Sequence, residues 1–300
     1  MSDAPPARPL RLGLLAWPVG RPADVGEYAE RLDSLLAEAR GRADLLVTAE
    51  YAPVELAAGL CGGAVADTAA EIAAMVAHAG PILAAMRAAA MRAGVWLLPG
   101  TLPMRAGDGR IVNRAPLIAP DGRMAFQEKR AMTRFDAERW GIVGGAGPQV
   151  FDTPWGRLGI SVCYDVEFPK HVRAQVEQGA WLVLTPSCTD SRHGFTRVRV
   201  SAAARAIENQ CFVAVAPTVG LAPWSLGLDE NHGAAMVFGP ADRGFPEDGV
   251  LAAGGMDEPG WVFCDLDPAR IAHVREHGAV RNHHDWPRSP VPPPRPAAFA

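Results

Sequence analysis

The 300-residue sequence has no block of basic residues: 29 Lys and Arg are scattered among 33 Asp and Glu, for a formal net charge of -4. The electrostatic footprint that nucleic acid or an anionic membrane surface requires is therefore missing, and a small molecule or peptide is the expected partner. No apolar run reaches the roughly 18 residues of a membrane span. The opening MSDAPPARPLRLGLLAW lacks the basic start and apolar core of a secretion signal, so a cytoplasmic protein is expected. Five cysteines, Cys61, Cys163, Cys188, Cys211 and Cys264, show neither CxxC spacing nor an even count, which argues against a disulfide framework and a structural zinc site. There is no GxSxG elbow and no GxxxxGK[ST] loop, so no phosphate cofactor is indicated. His283-His284-Asp285 lead into a proline cluster, and no metal is expected there.

What is present is a chain 49% hydrophobic and 21% charged, enough apolar material for one sizeable core. Pro and Gly fall singly between periodic segments, so residues 1–286 read as a single domain. Pro287, Pro290, Pro292, Pro293, Pro294 and Pro296 crowd residues 287–300 into a tail incompatible with helix or central strand. Leu10–Trp17 reads as a buried strand, Asp24 and Glu27 as a capping box opening a helix to Gly41, and Ala43–Thr48 as a second strand, parallel to the first. A long Ala-rich helix from Thr68 to Arg92, broken at Gly80-Pro81, leads to a strand at Val95–Gly100. Turns at Pro120-Asp121-Gly122 and Pro154-Trp155-Gly156 each read as the centre of a hairpin, which makes the sheet mixed. Helices at 167–178 and 195–209 and strands at 181–185, 212–216, 234–238 and 261–265 complete the reading. So many strands in one domain fit an α/β fold of two layered mixed sheets with outer helices.

Three polar residues stand where apolar strands run out: Glu50 after ADLLVTA, Lys129 after RMAFQE and Cys163 after RLGISV. Ligand sites in open α/β sheets collect at strand ends. Singly, the first two read as solvated surface charges and the third as a small buried hydrophobe. His171, His193 and His232 sit in segments that say nothing about facing Cys163, and are read as loop or surface residues.

Together, however, the segments resemble the nitrilase superfamily of carbon-nitrogen hydrolases, in order and over nearly the whole chain. VTAEYAP is similar to the strand bearing the family's general base, Glu50, with Ala49 where Pro is common. EKRAMTRFDAERWGIVGG is similar to the lysine loop, in which Lys129 matches the catalytic lysine and Glu138 a second glutamate that some members place beside it. GRLGISVCYDVEFP is similar to the nucleophile segment, with Cys163 as nucleophile and Lys170 where Glu is commoner. ARAIENQCFV is similar to the motif that follows, in which Arg205, Glu208 and Asn209 look structural. The resemblance implies a four-layer α-β-β-α sandwich, no cofactor, and at least a homodimer formed through helices near the nucleophile.

The chemistry explains why these residue types belong together. An ammonium near a thiol favours thiolate, and Lys129 with the backbone N–H of Tyr164 can cradle an oxyanion. Glu50 would take the thiol proton, pass it to the departing ammonia or amine, and then activate water against the thioester. Tyr164-Asp165 after the nucleophile resembles the amidase side of the superfamily, where nitrilases tend to have Trp-Glu. Asp165 and Glu167 are expected to pair with Arg197 or Arg199 or to cap the next helix. Part of the lysine loop most resembles a poorly characterised branch sometimes fused to an acetyltransferase domain. The expected activity is hydrolysis of a small amide through a Cys thioester. The alternatives are a catalytically silent binding member, a nitrile hydrolase or an amide acyltransferase.

Overall fold

The computed structural model describes residues 8–288 and 293–296; Pro290 and Pro292 of the expected tail, with 297–300, lie outside the described residues. The first half begins with β1 (Leu10–Pro18), α1 (Val25–Glu38) and β2 (Leu45–Val47), continues through α2 (Ala57–Leu60), α3 (Thr68–Ala77) and α4 (Ala79–Ala93), and reaches β3 (Trp96–Leu98). β1, β2 and β3 pair in parallel, as two right-handed crossovers require. The meander β4 (Leu102–Arg105), β5 (Ile111–Ile118) and β6 (Met124–Glu128) then joins antiparallel, and a single helical turn, α5 (Arg134–Glu138), follows.

The second half repeats the plan. β7 (Val150–Thr153) and β8 (Gly156–Ile160) form a hairpin, α6 (Pro169–Glu177) crosses to β9 (Leu182–Ser187), and α7 (Arg192–Asn209) crosses to β10 (Phe212–Leu221). β11 (Glu230–Asn231), β12 (Met236–Phe238) and β13 (Val250–Ala253) extend that edge, β14 (Gly260–Leu266) returns antiparallel to β1, and α8 (Pro268–His277) and α9 (Asn282–Asp285) close the described chain. The hydrogen-bonded network thus unites all these strands into one mixed sheet. Its two halves meet along β1, which pairs with β10 at two residue pairs, Trp17 with Thr218 and Pro18 with Val219, and with β14 at seven, from Leu10 with Leu266 to Ala16 with Gly260.

Burial follows the sequence pattern. Leu12, Leu14, Val47 and Leu98 of the first half share one core with Ile160, Val183 and Val213 of the second. Leu15 and Trp17 of β1 face the other way, against Tyr28, Leu32 and Leu36 of α1 and Met86 of α4. Each such fully buried side chain stabilises by about 2 kcal/mol, so both faces of β1 anchor the molecule. Asp24 caps α1 through the Gly26 and Glu27 N–H groups, but the expected capping box is not closed, because Glu27 reaches back to the Ala23 N–H in place of that of Asp24.

The long Ala-rich helix breaks at His78, two residues earlier than expected. α3 ends at Ala77, α4 starts at Ala79 at an angle of 58°, and Pro81 sits inside the first turn of α4, where a missing N–H costs no intrahelical bond. β4, β13 and α8 are elements the sequence reading did not place. Among the described residues, no single helix is long and apolar enough to cross a membrane.

Candidate active site

Glu50, Lys129 and Cys163 come from three separate strand ends and converge on one buried spot. Glu50 lies three residues beyond β2, where Tyr51, in a left-handed conformation (φ 57°), turns the chain away. Gly100 makes this turn possible from the neighbouring strand end: its own φ is +78°, and a Cβ there would collide with the carbonyl oxygen of Ala49. Lys129 directly follows β6, and its backbone is held on both sides, by its N–H to the Asn113 carbonyl (2.9 Å) and by its carbonyl from Gly145 N–H (2.9 Å).

Lys129 Nζ donates to Glu50 Oε1 at 2.8 Å and to Asp136 Oδ2 at 2.7 Å, and the lysine and Glu50 side chains are each only 1% exposed. It also sits over the Tyr51 ring, 5.6 Å from the centroid. Burial opposes the ammonium, but the Asp136 and Glu50 carboxylates outweigh it and keep the lysine firmly protonated. Burial raises Glu50 to about 7, with the Asp136 charge adding to the effect and the Lys129 charge opposing it. Asp136, also buried, is nevertheless held below the usual carboxylate range by Lys129.

Cys163 opens a 3-10 turn, Cys163–Glu167, just past β8, with φ of +46°. Its Sγ donates to the Cys188 carbonyl at 3.4 Å, and the thiol lies close enough to the Glu50 carboxylate and the Lys129 ammonium for both charges to act on it. The thiol is 4% exposed. Burial, reinforced by the Glu50 charge, pushes its pKa well above the ordinary thiol value, against the pull of Lys129. In a site this dry, loss of water outweighs the one nearby cation that favours the thiolate. Tyr164 N–H, at the first turn of this segment, donates to no acceptor among the described residues, as the leading amides of a helical turn do.

Glu138 is not beside Lys129. Its side chain is 58% exposed and pairs with Arg134 one turn earlier on α5 (3.0 Å). The acid at that place is Asp136, which the sequence reading passed over. The signal was available: Thr133 and Asp136 form a capping box, Thr133 Oγ accepting from Asp136 N–H and Asp136 Oδ2 accepting from Thr133 N–H, and this fixes which way Asp136 points. Tyr51, whose hydroxyl donates to Asp136 Oδ1 at 2.8 Å, is a second such residue.

The surrounding frame is equally specific. Asp165, fully buried, accepts from the N–H groups of Arg130 and Ala131 (3.2 and 2.6 Å), so the nucleophile segment grips the lysine loop. Glu167 pairs with Arg197 at 3.5 Å, one of the two partners expected. Arg205 donates to the Val166 carbonyl at 2.9 Å and pairs with Glu208 at 2.6 Å, a structural arrangement that holds the same segment from α7. His171 is no surface residue: it is buried on α6 against Ser161 Oγ (3.1 Å), because its face of the helix turns to the sheet. His193 is exposed, and His232 is half-buried beside Asp257. Among the described residues, no group of three or more His, Cys, Asp and Glu has the arrangement to hold a metal ion.

Comparison with known proteins agrees with this geometry. The carbon-nitrogen hydrolase family profile matches residues 11–276. A hydrolase encoded in the pqqF 5′ region of Pseudomonas protegens is 31% identical over 252 residues, covering 83% of this chain and 80% of that protein. The probable hydrolase YhcX of Bacillus subtilis is 35% identical over 178 residues; that match takes in 59% of this chain but only 35% of its length. A deaminated glutathione amidase of Synechocystis is 31% identical, covering 65% of this chain and 72% of that protein. Among solved structures, the amidase from Nesterenkonia sp. AN1 superposes with a TM-score of 0.70 at 26% identity, over 95% of this chain and all of the other. A mutant of that amidase carries the acetamide moiety of fluoroacetamide covalently at its active-site cysteine. The chain belongs to the carbon-nitrogen hydrolase family.

Proposed function

We propose that the protein is an amidase that hydrolyses a small amide through a thioester on Cys163. The observation that carries this reading is the Lys129 ammonium bonded to Glu50 at 2.8 Å at a buried spot where the Cys163 thiol feels the charge of both. Glu50 takes the thiol proton as sulfur bonds to the amide carbon, and the oxyanion forms between Lys129 Nζ and the free Tyr164 N–H. The C–N bond then breaks, and Glu50 returns the proton to the departing nitrogen. Water enters, Glu50 accepts its proton, the new C–O bond forms, and the leaving sulfur recovers the proton as thiol. A base near 7 suits both halves of this cycle, since proton transfer is most effective when the pKa lies near the working pH.

A small substrate fits the near-closed site, and amide hydrolysis agrees with the names of the relatives. The reading extends to the scaffold as a four-layer α-β-β-α sandwich over residues 1–286 and to a cytoplasmic homodimer or larger assembly. For that assembly, the half-exposed Phe168 before α6 and Val200 and Ile207 on α7 are the apolar contacts. Ammonia release across a panel of small amides, with Cys163→Ala as control, tests the chemistry. Turnover by the wild type and none by a folded Cys163→Ala is the expected result, and full activity in that variant would end the assignment.

A further inference from the structure

One buried amide touches both halves of the base machinery. Asn113 lies within β5, is fully buried, and donates from Nδ2 to Glu50 Oε1 at 3.1 Å. The same residue's backbone carbonyl accepts the N–H of Lys129 at 2.9 Å. Its own Oδ1 is buried without a partner. A side chain kept in the interior at the cost of an unsatisfied carbonyl is held there for what its other end does. Only one orientation of the amide serves, because a carboxylate accepts and never donates.

We propose that Asn113 is a positioning residue for the reaction, pinning Glu50 so that one carboxylate oxygen is saturated and the other carries the proton. Oε1 receives two donors, Lys129 Nζ and Asn113 Nδ2, whereas Oε2 receives neither. Protonation goes to the oxygen with free lone pairs, so Oε2 is the atom that exchanges protons with Cys163 and later with water. Lys129 alone does not fix this choice, since the carboxylate can turn about its last bond while keeping a single ammonium contact. The second donor, fixed in the β5 ladder, removes that freedom and also lowers the basicity of the pinned oxygen.

This inference rests on Glu50 being the base, and the test separates the two claims. Asn113→Leu removes the donor while keeping the branching and the number of side-chain heavy atoms; Asn113→Asp keeps the shape and replaces the donor by an acceptor. In both, loss of a hydrogen bond to the charged form moves the acid limb of the kcat/KM profile upward, by about one pH unit for Asn113→Leu, the size expected for one bond to an ionised group. We expect kcat to fall roughly 10- to 100-fold, within the range of general-base effects, with KM changed less than about threefold. The rate of iodoacetamide labelling at Cys163 against pH gives the same shift without substrate. An acid limb unmoved in both variants overturns the proposal, as does failure of both to fold, which would make Asn113 a residue of the fold alone. Cys163→Ser is measured alongside. If it keeps full turnover, the hydrolase reading itself falls; if it is inactive while the Asn113 variants titrate as wild type, only the role of Asn113 falls.

Discussion

Asp136 Oδ2 lies 2.7 Å from Lys129 Nζ, and the same oxygen accepts the N–H of Thr133, so one carboxylate both caps α5 and fixes the ammonium. With Glu50 on the other side, Lys129 is flanked by two acids in a space closed to water. The charge balance differs from that of a simple Glu-Lys pair. Asp136 keeps the lysine charged while Glu50 is left free to gain and lose a proton.

Asp136→Asn should therefore cost far more than any change at Glu138. We expect a fall in kcat of roughly 100-fold or more for Asp136→Asn, from a misplaced or deprotonated lysine. Glu138→Gln should stay within about threefold of wild type and shift stability by less than about 0.5 kcal/mol, as exposed substitutions do. Steady-state kinetics and thermal melts on the two variants decide this, and equal losses would reverse the assignment.

The pH dependence of activity follows from Glu50. As the base must be unprotonated, kcat/KM should rise with pH through about 7. Stability should respond with the opposite sign. A carboxyl whose folded pKa lies above its unfolded value of 4.5 contributes stability below pH 4.5 and loses it as pH rises through about 7. Glu50→Gln should flatten this part of the stability curve between pH 4.5 and 7, measured by denaturant melts, while abolishing turnover.

Cys163 should label selectively despite its burial. Iodoacetamide and acrylamide are small enough to enter, and proton transfer to Glu50 with Lys129 alongside generates the reactive sulfur at need. Cys188 and Cys211 are also pushed up, to about 12, but their thiols face the Asn231 amide oxygen and the Arg205 carbonyl, neither of which is a base, so both should lag. Peptide mapping after brief treatment should show one adduct, at Cys163. A labelling rate unaffected by Glu50→Gln would mean that the carboxylate does not activate the thiol.

Arg205→Ala should destabilise by about 3 kcal/mol. It strips the Val166 carbonyl of its donor and leaves Glu208 without its ion-pair partner, and breaking one side of such a buried arrangement is the costly case. Activity should fall along with stability, because Val166 lies three residues beyond the nucleophile. Urea titration and ammonia release on the same preparation measure both.

The sequence made the three strand-end residues legible because runs such as ADLLVT and RLGISV and the turns that end them are local signals. The choice between Asp136 and Glu138 was not legible in this way. At about 100° per residue, two positions on one helical turn point to nearly opposite sides, and only the Thr133 cap sets which side faces Lys129. His171 escaped notice for the same reason, its burial being set by the face α6 turns to the sheet. The resting state of Cys163 depends on how much water its neighbours exclude, a property of the assembled fold. Asn113 carries no mark in sequence that separates it from any polar residue in a strand.

The seam between the halves runs along β1, which pairs with β10 at its end and with β14 along its length. Glu50 and Lys129 are 79 positions apart, both on one side of that seam, and the sulfur arrives from the other. Neither half holds a working set of groups by itself. Catalytic competence thus belongs to the joined halves, and any change that parts them along β1 separates the sulfur from its base.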